Sequence, residues 1–252
     1  MVVYLIGTKS MEDTVSEDKT FNWKPNFDER SKNYPIRAVI AERPKRRTKK
    51  WRNGIILDQG REGACVGFGW TAEALSTPVA VDFTRLKAEA PDKPQDFAHA
   101  LYERAKKIDE WDGEDYEGTS VLAGAKAMKE LGLLNEYRWC FKIDDVIDAL
   151  LTKGPVVLGI YWYEGMYEAK EGILRVTGDV VGGHCITAVG FKLAKDSATG
   201  EDSVILQNSW GYSWGTWGLA EITVSDLKKL LDNDGEACVP VKRSYGRTLP
   251  KK

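Results

Sequence analysis

The apolar pattern of this chain changes period part-way along, and that change limits the folds open to it. In the first half, apolar residues recur at helical spacing. The segment CVGFGWTAEALS follows two glycines and ends before Pro78, as a helix of about three turns would. Phe97, Leu101, Ala105 and Ile108 predict a helix over Asp96 to Trp111. VLAGAKAMKELG predicts another, with Ser120 as its cap and Gly132 at its close. DDVIDALLTKG is one more, ending at Gly154-Pro155. The texture then shifts to short runs rich in β-branched and aromatic residues: VVLGIYWY, GILRV, CITAVGFKL, SVILQNSW and LAEITV. These predict strands separated by Gly and Asp turns. Helices first and strands later predict an α+β chain with two sub-units and argue against alternating βαβ units. No internal repeat is present. With 252 residues, 42% of them hydrophobic, the chain has enough apolar material for one good core or two small ones.

Charge and cysteine usage exclude several classes. The net charge is −2, so no global polycation suits the chain to nucleic acid or a membrane surface. The N-terminal apolar run Val2 to Ile6 is too short for a secretory core, and no stretch approaches a membrane span. A soluble, cytoplasmic protein is expected. The four cysteines, Cys65, Cys140, Cys185 and Cys238, are widely spaced and contain no CxxC pair. That spacing argues against zinc and against a disulfide scaffold, and it suits a reducing compartment.

Residues 1 to about 33 are polar and mixed in charge, and predict an extension with little core of its own. Arg43 to Arg52 then holds seven basic residues in ten. The simplest reading is a solvated linker; a polyanion contact or a processing site is the sharper alternative.

Few residues are suited to catalysis. His99 lies on the predicted helix DFAHALYERAKK and reads as a partly exposed helix histidine. His184 lies in GGHCITAVGF, where two glycines lead into an apolar strand, a position equally compatible with access and with packing. Cys65 follows Gly63-Ala64 and begins a predicted helix, where the dipole and free N–H groups favour a thiolate. Taken alone it reads better as a buried structural cysteine. Asn208 follows an apolar strand and opens the Trp-Gly segment NSWGYSWGTWG. It fits either a tight turn or an amide that orients an imidazole.

Together these segments resemble the papain family of cysteine peptidases. DQGREGAC is similar to that family's Gln-Gly…Gly-Ser-Cys segment, GGHCITAVGF to its His-Ala-Val…Val-Gly-Tyr strand, and NSWGYSWGTWGLAEI to its Asn-Ser-Trp-Gly block. Trp51-Arg52, KAMKELGLLNE and GPVVLGI are weaker echoes in the same order. The resemblance covers about residues 51 to 240. It implies a two-lobed fold, with a helical left lobe, a β-rich right lobe and the active-site cleft between them. The expected divisions are an N-terminal extension and basic linker at 1–50, a helical lobe carrying the nucleophile at 51–139, a β-rich lobe carrying His and Asn at 140–240, and a basic C-terminal tail at 241–252. It also implies an endopeptidase working on protein or peptide substrates through an acyl-thioester, with no metal or organic cofactor and no membrane or nucleic-acid partner. Cys65 would be the nucleophile and His184 its proton partner, largely as thiolate and imidazolium. Asn208 would hold the imidazole, and Gln59 would donate to the oxyanion. Trp210 would shield the Asn–His contact, and Gly63, Gly183 and Cys185 would line the substrate site.

The chain departs from the family pattern. Glu62 stands where a cysteine normally lies three residues before the nucleophile, Val66 replaces the aromatic after it, and Cys185 follows the histidine. These departures suit a disulfide-poor bacterial or bacteriophage type, acting in host cytoplasm or virion. The alternatives are an idle papain-like fold used as a binding or structural protein, such as a virion component, and an acyl transfer to amines by the same dyad.

Overall fold

A computed structural model describes residues 19–82, 91–109 and 117–243. Its elements are β1 (Lys49–Lys50), α1 (Cys65–Ala74), α2 (Pro94–Ile108), α3 (Val121–Glu130), β2 (Leu134–Trp139), α4 (Ile143–Thr152), β3 (Val156–Tyr163), β4 (Val180–Lys192), β5 (Ser203–Gln207), β6 (Leu219–Thr223), α5 (Val224–Asp232) and β7 (Glu236–Arg243). The strands form one antiparallel sheet in the order β2-β7-β3-β4-β5-β6, and β1 adds to β4. The helix predicted over 96–111 spans Pro94–Ile108; Trp111 lies outside the described residues.

Helix α1 positions everything else. All ten of its residues are buried, Thr71 and Glu73 among them, so it is enclosed on every side and sits between α2, α3 and the sheet. Glycine allows the close approach. A Cβ on Gly67 would overlap the Ala98 carbonyl of α2, and one on Gly69 would lie 2.8 Å from Cys185 Sγ on β4. Thr187 of β4 donates to the Gly69 carbonyl at 2.7 Å, and the Trp70 indole donates to the Val121 carbonyl at 3.1 Å. One apolar cluster joins α1, α2 and α3 through Trp70, Phe97, Leu101 and Met128. A second lies beneath the sheet, joining α4 and α5 to β3–β6 through Ile147, Leu150, Trp162, Phe191 and Leu227.

Several expectations from sequence need correction. GILRV forms a single bridge, Ile173 to Glu221, not a strand. After the Leu174 N–H reaches the Glu221 carbonyl at 2.8 Å, the backbone turns back on itself between Arg175 and Thr177. Strand β2 falls in the helical half and α5 in the strand half, so the segregation of elements is incomplete.

The extension is not an empty linker either. Ile36 is fully buried, Ile40 nearly so, and both pack into the cluster under the sheet. Arg37 pairs with Asp148 at 2.5 Å, while Arg43 and Arg46 pair with Asp144 at 3.0 and 2.5 Å. The basic run therefore docks on the acidic first turns of α4, where carboxylates are favoured by the helix dipole and attract the arginines. Lys49 and Lys50 continue into the β1 pairing, and the Trp51 indole donates to the Leu150 carbonyl at 2.8 Å.

Candidate active site

Cys65 is the first residue of α1. The turn before it has Gly60 at φ +62°, and Ala64 precedes the helix without offering a side-chain cap. The helix's first N–H groups are thus left for the thiol and whatever faces it. The thiol is fully buried. Burial pushes it above its ordinary value, while backbone hydrogen bonds from Cys185, Asn22, Val66 and Trp23 pull it partly back.

His184 lies on β4, also fully buried. Its Nε2 lies 2.8 Å from Asn208 Oδ1. That oxygen also accepts the Ser209 N–H at 2.8 Å, so the ring nitrogen facing it carries the proton. Nδ1 then holds the lone pair, and it has no hydrogen-bond partner among the described residues. Burial lowers the imidazole from 6.5 to about 4, against the raising effect of the Asn208 contact. Burial thus favours the neutral form of each group over the thiolate and imidazolium expected from sequence.

Aromatic rings enclose the imidazole. Trp162 lies 4.8 Å from it by ring centroids, Trp210 5.1 Å and Phe21 5.8 Å, the first and last edge-on. Gln59 is tied to the same group: its Oε1 accepts from Ser209 Oγ at 2.7 Å, and its backbone N–H bonds the Ser209 carbonyl at 2.9 Å. His184, Asn208, Gln59 and Trp210 thus converge, and Cys65 bonds the backbone of Cys185, the neighbour of His184. His99 does not join them; it pairs with Glu62 on the surface and sets its ring on Phe68.

The cause of the burial is the chain itself. Residues 19–24 cross the cleft. Thr20 Oγ1 donates to the Arg61 carbonyl at 2.6 Å. Asn22 O accepts from the Thr119 N–H at 3.0 Å, and the Lys24 N–H returns to the Thr119 carbonyl at 3.1 Å. On the opposite side, the Trp23 N–H donates to the Gly183 carbonyl at 2.8 Å. The strap therefore bonds both walls. Glycines leave it room: a Cβ on Gly63 would overlap Asn22, and one on Gly183 would overlap the Trp23 backbone. Gln59 Nε2 donates to the Glu62 carbonyl at 2.8 Å and reaches the strap's Thr20 carbonyl at 3.4 Å. Gly63 and Gly183 thus touch the strap, and Cys185 lies beneath it, buried with its thiol well above its ordinary value through desolvation.

The family model for papain family cysteine protease matches residues 101–233, more than half of the chain. The chain belongs to that family. The matched span contains His184 and Asn208 and begins after Cys65. Among curated relatives, a cathepsin B-like protease 1 of Arabidopsis thaliana is 33% identical over 79 residues, covering 31% of this chain and 20% of that protein. An uncharacterized peptidase C1-like protein of Acanthamoeba polyphaga mimivirus is 24% identical over 206 residues, covering 64% and 62%. The chain thus spans less than two thirds of the length of either. In fold it is similar to xylellain, a cysteine protease from Xylella fastidiosa, with a TM-score of 0.62 at 15% identity, covering 89% of this chain and 97% of that one. It is also similar to a stem bromelain precursor, with a TM-score of 0.58 at 15% identity, covering 89% and 78%. These likenesses agree with the two-lobed α+β architecture expected from the sequence motifs.

Four residues at or beside the site were not picked out from sequence: Phe21, Trp23, Trp162 and Glu236, which accepts from the Trp23 indole at 3.2 Å. For the first two a signal existed, since FNW places two aromatics in an otherwise polar stretch. Trp162 sits within an apolar strand pattern that gives it no distinction, and Glu236 sits between a Gly and an Ala with no local mark.

Proposed function

We propose that this protein is a cysteine endopeptidase in which Cys65 attacks a peptide carbonyl and His184 moves the proton. The observation that carries the reading is the His184–Asn208 contact at 2.8 Å, which leaves Nδ1 as a free base on the ring. Cys65 bonds the backbone of Cys185, the residue after His184, which supports pairing this thiol with that base. When the strap leaves and a substrate enters, Nδ1 takes the thiol proton and Sγ adds to the carbonyl carbon. The Gln59 amide and the Cys65 N–H then stabilise the oxyanion; one such donor is worth about 10²–10³ in rate. The protonated imidazole gives its proton to the leaving amine, and water hydrolyses the thioester in a second passage through the same groups. Trp210 and Trp162 keep water from the His184–Asn208 bond. Gly63, Gly183 and Cys185 line the substrate path that the strap now fills. All four cysteines are free, which supports a working place that keeps thiols reduced, such as a cytoplasm. No helix among the described residues is long and apolar enough to cross a membrane.

A second reading draws on the filled cleft and the buried pair: the fold serves as a binding or structural protein without turnover. Incubation of an unfolded protein substrate with wild type and with Cys65→Ala separates the two. Cleavage by wild type alone supports the peptidase. Equal, absent cleavage by both, after the strap has been opened, supports the idle fold. Product formed only when an added amine is present would indicate acyl transfer instead.

A further inference from the structure

The strap is anchored at one buried acid. The Trp23 indole lies in a slot built by two glycines: a Cβ on Gly159 of β3 would overlap the indole, and one on Gly183 of β4 would overlap the Trp23 backbone. Tyr161 meets the indole edge-on at 5.6 Å. At the end of the slot, Trp23 Nε1 donates to Glu236 Oε2 at 3.2 Å. Glu236 begins β7 directly opposite Gly159 in the strand pairing. It is 5% exposed, and its second oxygen, Oε1, has no hydrogen-bond partner among the described residues. The Trp23 N–H is its one side-chain donor, and the backbone of Asn26 and Val121 adds to it. With Oε1 left unpaired away from water, that set suits a protonated acid better than a buried carboxylate.

We propose that the Trp23–Glu236 contact is a proton-dependent latch, in which neutral Glu236 retains the strap and ionised Glu236 expels it. This rests on the peptidase reading only in that the strap covers the proposed nucleophile. The surroundings agree. Burial moves the Glu236 carboxyl from 4.5 up to about 7, while the Trp23 N–H and the nearby backbone of Asn26 and Val121 act the other way. Asp109, at the end of α2, adds a repelling carboxylate. The other titratable neighbours, Cys185 on β4 and Cys238 on β7, are thiols that burial holds well above their ordinary values and therefore neutral. Opening removes the indole and admits water, so the carboxyl returns toward its ordinary value. The closed form thus binds more protons than the open form between those two values, and rising pH favours opening. Cys65 and His184 do not mask this. Within the pair the thiol loses the proton that the imidazole gains, and the net exchange is zero. The closed-to-open ratio is therefore expected to shift by a factor on the order of 10–100 between pH 5 and pH 8.5.

Alkylation of Cys65 by iodoacetamide, read by peptide mass spectrometry on the full chain, reports the open fraction. The wild-type rate is divided by that of Glu236→Gln, whose carboxamide keeps the acceptor and cannot ionise. The ratio is expected to rise by about 10-fold or more between pH 5.5 and pH 8.5. A ratio that does not vary with pH overturns the latch. A second variant, Gly159→Ala, evicts the indole while leaving Glu236 in place. Its rate should exceed wild type most at low pH, with the excess shrinking as pH rises; a constant excess also overturns the latch. Peptide hydrolysis measured on the same samples separates the two proposals. Loss of hydrolysis with an intact pH ratio refutes the peptidase and leaves the latch standing.

Discussion

Replacing Asn208 by alanine removes one acceptor from two buried donors. Its Oδ1 receives the His184 Nε2–H and the Ser209 N–H, each at 2.8 Å. Both residues are buried, so neither donor finds bulk water once the oxygen is gone. Each unpaired buried donor costs about 1–3 kcal/mol. Against that, Asn208 Nδ2 is itself buried without a partner, and deleting it relieves one such penalty. The net loss is therefore expected to be about 1–3 kcal/mol, equal to a single orphaned donor. Equilibrium urea unfolding checks it, performed with and without Asn208→Ala in a Cys65→Ala background so that no self-cleavage intervenes. Unchanged or increased stability would refute the accounting, since it would mean that the two donors were never held by this oxygen. In an otherwise wild-type chain the same change should lower kcat by about 10²-fold, the low end of what a positioned acid–base group supplies, with KM nearly unchanged. A loss confined to KM would place Asn208 against substrate and remove it from the imidazole.

Ile36→Ala empties a fully buried site in the cluster under the sheet and should cost about 2–5 kcal/mol in the same urea assay, although it lies in the extension. Asp144→Ala, which leaves the exposed Arg43 and Arg46 only their longer contacts to Asp148 and Asp202, should cost less than about 1 kcal/mol and lose even that in high salt. Gly67→Ala drives a Cβ into the Ala98 carbonyl and should separate α1 from α2, at about 1–3 kcal/mol. Because burial depresses the His184 imidazole to about 4, its NMR signals should stay those of the neutral ring until the pH nears that value. The folded chain then binds fewer protons than the unfolded one below 6.5. In a Glu236→Gln background, which removes the opposing acid, stability due to His184 is complete above pH 6.5 and is lost as pH falls toward 4.

Much of the fold was legible because its signals are local. Ser120 caps α3 by accepting from the Ala123 N–H at 3.1 Å, and Gly132 leaves that helix at φ +70°. The strands β3, β4, β5 and β6 follow their β-branched runs. Helix α5 was missed although Thr223 caps it in a recognisable way, because LAEITV was followed as a strand to its last residue. Strand β2 was missed because its burial comes from pairing with β7, more than ninety residues on, and its own burial pattern lacks clean alternation. The association of Cys65 with His184, Asn208 and Gln59 was legible only through family resemblance, since each local setting is ambiguous. The course of the strap was not legible, although FNW stands out from its polar surroundings. FNW gains meaning from Gly63, Gly159 and Gly183, which are empty positions in sequence and become a slot only when three distant segments meet. The docking of the basic run on α4 was hidden for the same reason: its carboxylate partners lie about a hundred residues further along the chain.

The burial of Ser31, Ile36 and Ile40 has a consequence for the strap. Those residues moor the extension to the body of the protein only a few positions after Lys24. When residues 19–24 lift out, they stay on a short tether and confront the cleft at an effective concentration on the order of millimolar, whatever the dilution of the protein. A competing substrate must outbid that local concentration with every encounter. Scission of the backbone between Lys24 and Asp28 would end the contest, because the freed peptide would then diffuse away and return only as a bimolecular ligand. Dilution would shift the balance after such a cut and have no effect before it.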